Sequence, residues 1–121
     1  MESAPRPKSS SHLSFAETHR ALEALNGYWV GVDVSPLAGG SPFVTLIGTL
    51  VPICMVGAPG RRSIAFDVGG VSLRIAERRL ARALAEHYED ELTGLSWSLV
   101  AIELRCGVVM EVEEIAPPAE G

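Results

Sequence analysis

The side chains that could do chemistry in this chain are three histidines, a series of arginines, several glutamates and two tryptophans. None of the three histidines, His12, His19 and His87, has a thiol or a carboxylate nearby at the spacing of a metal-binding motif. No serine or cysteine lies in a nucleophile motif such as Gly-x-Ser-x-Gly. The sequence therefore indicates no metal, no cofactor and no particular enzyme class.

The arginines are the first candidate site. Arg74, Arg78, Arg79 and Arg82 are close in sequence, and guanidinium groups at this density can hold phosphate or an acidic partner. The alternative is an ordinary solvated face, because no aromatic residues are interleaved with the arginines as in a platform for single-stranded nucleic acid. The net charge of −5 also argues against nucleic acid as a general partner.

His87 and Tyr88 form the second candidate site, a pocket. Apolar residues recur at intervals of three and four between residues 76 and 91, which predicts an amphipathic helix. On this helix the two side chains and the arginines would line a pocket for a small molecule or an anion. The charges of the segment run against the helix dipole, since Arg78 is early and Glu89 is late.

The third candidate site consists of Trp29 and Trp97. Each lies on the row opposite the apolar side of its predicted strand. Either a helix covers these rings, or they belong to a surface for a partner protein or a second copy of the chain.

The elements that position these residues can be predicted from periodicity, beginning with a hairpin. Apolar residues alternate on both sides of Gly69 and Gly70, and the phase of the alternation flips across the two glycines. Glycines suit the positive φ angles of a two-residue turn, so the flanking residues pair and share one apolar face. The predicted pairs are Val68 with Val71, Phe66 with Leu73, and Ile64 with Ile75.

The remaining elements follow from caps and alternation. Ser14 and Glu17 form a capping box for a first helix over residues 15–25. Alternation predicts two strands, over residues 28–35 and 43–53, the second with a bend at Gly48. A second hairpin is predicted from strands at residues 98–104 and 108–114, with Val100, Ile102 and Leu104 facing the same side as Val112, Met110 and Val108.

These elements predict an α+β domain over residues 13–115, flanked by tails at residues 1–12 and 116–121. Its predicted order is one helix, four strands, a second helix and two strands. The architecture is a small, strongly bent antiparallel sheet or partly closed barrel of about six strands, with two flanking helices. The alternative is an open sheet with both helices on one face.

Cys54 and Cys106 lie in apolar surroundings and are predicted to be free and buried. No signal peptide or membrane span is evident, so we expect a cytoplasmic protein. The leading functional hypothesis is a non-enzymatic binding or assembly module that self-associates through the apolar strand surface around Trp29 and Trp97. The alternative is a small-molecule or anion-binding domain, conceivably an enzyme, with its pocket near the second helix.

Overall fold

The structure is a computed structural model and describes residues 9–118. Eight strands form one antiparallel sheet with the order β1-β6-β7-β8-β2-β3-β4-β5, and its two edge strands do not pair, so the sheet is not closed. One helix packs on it. The elements in chain order are β1 Ser9–Leu13, α1 Phe15–Glu23, β2 Trp29–Pro36, β3 Val44–Val56, β4 Ser63–Val68, β5 Val71–Ala76, a 3-10 turn Glu77–Arg79, β6 Leu80–Glu89, β7 Ser96–Leu104 and β8 Val108–Ala116.

The predicted sheet-dominated α+β class is confirmed, but the predicted counts of six strands and two helices are wrong, and the sheet does not close into the predicted barrel. Residues 76–91 contain the 3-10 turn and β6 in place of the second helix. Strand β6 pairs with β7 along its length and with β1 on its other side. This pairing on both sides outweighs the helix propensity of a segment rich in alanine and leucine.

The N-terminal boundary also differs from the prediction. The sequence predicts a tail over residues 1–12, whereas in the structure Ser9–Leu13 form β1 and pair with Leu84 and its neighbours in β6. Residues 1–8 of the predicted tail and residues 119–121 lie outside the described range.

The first helix begins at the predicted capping box. The Glu17 N–H donates to Ser14 Oγ at 3.1 Å, and the Ser14 N–H donates to Glu17 Oε1 at 2.9 Å. The helix ends at Glu23, two residues before the predicted end. Its buried side chains Phe15 and Leu22 join the core, which lies between α1 and one face of the curved sheet.

The hairpin at Gly69 and Gly70 has the predicted register, with Val68 opposite Val71 and Ile64 opposite Ile75. Both glycines have positive φ, 58° and 85°. The turn lies directly against Gly48 in β3, and a Cβ atom on Gly48 would be 2.5 Å from the Gly69 backbone. Strand β3 changes its partner near this contact, from β2 to β4.

The second hairpin, β7–β8, also has the predicted pairing, with Val100 opposite Val112 and Ile102 opposite Met110. These four side chains face α1 and are buried. The alternate residues of both strands point to the other side of the sheet. That side carries both tryptophans.

Two further observations bear on the predictions. Cys54 and Cys106 are free, as predicted, but both are exposed, so their predicted burial is wrong.

Among residues 9–118, no helix is long and apolar enough to cross a membrane.

Candidate functional site

The side of the sheet that faces away from α1 is the first candidate site, and we call it the outer face. Its residues alternate with core residues on five adjacent strands, β6, β7, β8, β2 and β3. The outer face comprises Glu86, Tyr88, Trp97, Leu99, Glu111, Glu113, Ile115, Trp29, Gly31, Asp33, Thr45 and Ile47.

A shallow groove crosses the outer face at Gly31. Because Gly31 has no side chain, Ile115 lies over its backbone, and a Cβ on Gly31 would be 3.4 Å from Ile115 Cδ1. On the next strand Ile47 is directly opposite Gly31. The groove has a volume of about 190 Å³ and is also lined by Asp33, Thr45 and Glu113. Ile47 and Ile115 are 58% and 50% exposed, so the walls of the groove are apolar surface in water.

Trp29 and Trp97 both lie on the outer face, on strands separated by β8. Their environments differ. Trp29 is 45% exposed, whereas Trp97 is half-buried and stacks on Tyr88 with 5.5 Å between ring centroids and 7° between planes. Helix α1 lies on the opposite side of the sheet, so within residues 9–118 no helix covers either ring.

Acidic groups surround the apolar part of the outer face. Burial, together with the nearby carboxylates of Asp33, Glu86 and Glu113, raises the pKa of Glu111. Burial and the Asp33 carboxylate likewise raise the pKa of Glu113. Burial and neighbouring negative charge both disfavour the ionised form, so the charged state of these two carboxylates is less favourable here than in free solution.

The tyrosine of the stacked pair is held by one of these carboxylates. The Tyr88 hydroxyl donates to Glu86 Oε2 at 2.7 Å. Burial, followed by that hydrogen bond and the negative charge of Glu86, raises the pKa of Tyr88 to about 12. The ring is therefore a neutral apolar element of the outer face at physiological pH.

The second candidate site is the arginine end, which we define as Arg61, Arg62, Arg74, Arg78, Arg79 and Arg105. Of the four arginines predicted as an anion site, Arg74, Arg78 and Arg79 line one recess of about 370 Å³. Arg82 is separate from them, because its guanidinium forms an ion pair with Glu103 at 2.6 Å.

One carboxylate organises the arginine end. Glu77 accepts two hydrogen bonds from the Arg62 guanidinium, at 2.9 and 3.0 Å, and two more from the backbone N–H groups of Gly60 and Arg62. The hydrogen bonds to the Arg62 side chain are the main cause that lowers the pKa of Glu77 to about 2. The Arg62 guanidinium also lies 5.3 Å from the centroid of the Phe15 ring.

The predicted pocket residues His87 and Tyr88 do not share a pocket. They are consecutive in β6, so their side chains point to opposite faces of the sheet. His87 lines a recess of about 290 Å³ beneath α1, and Tyr88 lies on the outer face. In the part of the chain that the structure describes, no group of three or more histidine, cysteine, aspartate or glutamate side chains is placed to hold a metal ion.

Sequence reasoning missed Ile47, Ile115, Glu77 and Arg105. Ile47 lies in a segment that is apolar on both rows, which gives no sign of which row is exposed. Ile115 follows the predicted end of its strand. The contacts of Glu77 and Arg105 depend on the 3-10 turn, which replaces the start of the predicted helix.

Comparison of the chain with protein-family models, with curated proteins and with solved structures found no match.

Proposed function

We propose that this chain is a protein-binding module whose docking surface is the outer face. The groove over Gly31 carries the proposal, because its walls Ile47 and Ile115 expose apolar surface. Trp29, two residues before Gly31 on the same side of β2, is exposed as well. Exposed apolar side chains that adjoin one another are typical of protein interaction sites, whereas isolated ones are common on any surface. Tryptophan in particular is enriched among the residues that contribute most to binding.

The charges of the outer face indicate what kind of partner fits it. Asp33 and Glu113 line the groove, and Glu111 lies opposite Asp33 on β8. Burial and neighbouring carboxylates disfavour the charged forms of Glu111 and Glu113, as their raised pKa values indicate. A partner with apolar side chains flanked by lysine or arginine would bury the groove and neutralise these carboxylates. We therefore propose a cationic protein surface as the occupant.

The sequence predicts self-association through the surface around Trp29 and Trp97. The charges of the outer face are compatible with only one arrangement of two copies. Two copies that met outer face to outer face would bring the same carboxylates together, which costs free energy. A second copy could instead present its arginine end to the outer face. If the partner is a second copy of the chain, the contact is therefore head to tail.

Site-specific photo-cross-linking tests the proposal. Ile47 is replaced by a photoreactive amino acid, and the matched control carries the same group at Leu92, which is 96% exposed in the loop between β6 and β7. Cells or extracts are irradiated, and the captured protein is identified and purified. Its affinity is then measured for the wild type, for Trp29→Ala with Ile47→Ser, and for Leu92→Ser.

We expect capture at position 47 that exceeds capture at position 92, and binding of the purified partner that falls about tenfold or more in the double variant. Leu92→Ser should bind like the wild type. A cross-linked dimer of the chain itself would support the head-to-tail form. Equal capture at both positions, or equal affinity of all variants, would contradict the proposal.

A further inference from the structure

Two recesses meet at the arginine end. The first has a volume of about 280 Å³ and is lined by Arg61, Arg62 and Arg78. The second, of about 370 Å³, is lined by Arg74, Arg78 and Arg79. Both also include Ser63 and Ala76, so the two recesses are contiguous and Arg78 lies between them.

Most of the positive charge of these recesses is uncompensated, because Arg62 is the only one of their five arginines that is paired with a carboxylate of the described residues. No aspartate or glutamate from the part of the chain that the structure describes lines either of them. Within residues 9–118, the guanidinium groups of Arg61, Arg74, Arg78 and Arg79 make no ion pair and donate no hydrogen bond. Since the whole chain carries a net charge of −5, this end is a local concentration of positive charge on an acidic protein.

The backbone beneath the free guanidinium groups is fixed. The Arg105 side chain donates from Nε to the Arg78 carbonyl at 3.2 Å, and the Arg105 N–H donates to the Arg79 carbonyl at 2.8 Å. Glu77 ties the same turn to the loop before β4 through Arg62. A ligand would therefore order only side chains and not the turn, which lowers the cost of binding.

We propose that the arginine end binds a small anion with two or more linked phosphoryl groups. Arginine is suited to phosphate because its N–H groups match two phosphate oxygens at once. Two recesses on either side of Arg78 fit two adjacent phosphoryl groups better than a single one. The chemistry is shared by a free polyphosphate and by the phosphate tail of a nucleotide.

The observations favour this ligand over nucleic acid. Among the described residues, no aromatic side chain on which a base could stack lines either recess. Each recess is near the lower limit of small-molecule sites in volume. The net negative charge of the chain would repel a long polyanion, whereas a short one interacts mainly with the local arginines.

Calorimetric titration of the full chain with inorganic phosphate, tripolyphosphate and ATP tests the site. The key variants are Arg78→Gln and Arg79→Gln, whose backbone contacts are kept because they use only carbonyl groups. The matched controls are Arg20→Gln, an exposed arginine on α1, and Arg82→Gln, whose side chain is paired with Glu103. Far-UV circular dichroism verifies that each variant is folded.

We expect saturable binding of tripolyphosphate that is tighter than binding of phosphate and weakens between about 50 and about 200 mM salt. Arg78→Gln should lose about tenfold in affinity, as expected when charge-assisted hydrogen bonds are removed, and the controls should lose much less. ATP that binds more tightly than tripolyphosphate would identify a nucleotide as the ligand, and equal affinities would identify the phosphate chain.

Three results would overturn the inference: no saturable binding of tripolyphosphate, an equal loss in Arg20→Gln and Arg78→Gln, or an oligonucleotide that binds more tightly than tripolyphosphate through the same arginines. None of them bears on the outer face, so this proposal and the proposed function fail separately.

Discussion

The outer face and the arginine end hold charge in opposite ways. On the outer face, acidic groups are packed among half-buried apolar side chains, and the pKa values of Glu111 and Glu113 are raised by burial and by neighbouring carboxylates. At the arginine end, Glu77 binds Arg62, and Arg61, Arg74, Arg78 and Arg79 have no carboxylate partner among the described residues. Among residues 9–118, each region thus has several charges of one sign that lack a counterion, and this is why we propose a ligand of the opposite sign for each.

The largest expected effect is on stability, and it comes from disrupting the contact between Gly48 in β3 and the β4–β5 turn. Gly48→Ala places a Cβ 2.5 Å from the backbone of Gly69. The backbone can relieve this clash only if the β4–β5 turn moves away from β3. We expect a loss of about 3 kcal/mol in the free energy of unfolding, measured by urea denaturation.

Gly31→Ala is the matched control for this variant. Its Cβ would meet only the flexible end of Ile115, at 3.4 Å, and Gly31 does not have a positive φ. The control should unfold at nearly the same urea concentration as the wild type while partly filling the groove. If Gly48→Ala were equally harmless, the contact between Gly48 and the β4–β5 turn would not be needed for the fold.

The two tryptophans of the outer face should separate binding from stability. Trp97→Ala removes the stack on Tyr88 and should cost about 1–2 kcal/mol of stability. Trp29→Ala removes a ring that is 45% exposed and should have a much smaller effect on unfolding. Chemical denaturation of both variants checks this order. The reverse order would mean that Trp29, and not Trp97, is the ring that stabilises the fold.

Glu77→Gln should lower the stability of the fold, and the size of the loss should depend on pH. The pKa of Glu77 is about 2 in the folded chain, below its ordinary value of 4.5, so the folded state favours the carboxylate. The stabilisation is therefore complete above pH 4.5 and is lost as the pH falls towards 2.

Thermal unfolding across this pH range should show a melting temperature a few degrees lower for Glu77→Gln than for the wild type at neutral pH, with the gap closing in acid. Glu91→Gln, in an exposed loop, is the control and should show no gap. A gap that is independent of pH would mean that the carboxylate charge is not what holds Arg62.

Glu111→Gln should have the opposite sign and the smallest size. The raised pKa of Glu111 means that the folded state favours the protonated form, so the native chain loses stability as the pH rises through that pKa. The neutral amide removes this penalty. We expect a slightly higher melting temperature than the wild type at neutral pH and none of this gain in acid, and a lower melting temperature at neutral pH would contradict the crowding of the outer face.

What could be predicted from the sequence was mostly local. The turn at Gly69 and Gly70 and the capping box at Ser14 each depend on a few adjacent residues, and both have the predicted contacts. Strand β6 could not be predicted in this way, because its conformation is set by pairing with β1 and β7, which are distant in sequence. One local feature disagreed with a helix. The basic residues of this segment precede its acidic residues, which is unfavourable for a helix dipole and has no consequence in a strand.

The candidate sites follow the same division. Alternation correctly placed Trp29 and Trp97 opposite the core, but their role as partner contacts stays a prediction. Three of the four predicted arginines come together, because they lie in β5 and the adjoining turn, whereas Arg82 lies beyond that turn in β6 and pairs with Glu103. The groove over Gly31 requires the register of β8, β2 and β3, which no single segment of sequence specifies.

The most direct test of the outer face as a docking surface is the affinity of the partner captured at position 47, measured at pH 7 and at about pH 4. We predict tighter binding at pH 7, because Glu111 and Glu113 carry more negative charge at pH 7 than at the lower pH and attract the cationic partner more strongly. We also predict that Glu111→Gln with Glu113→Gln abolishes most of the difference between the two pH values. Affinity that is the same at both pH values, or a pH dependence that survives in the double variant, would contradict this account.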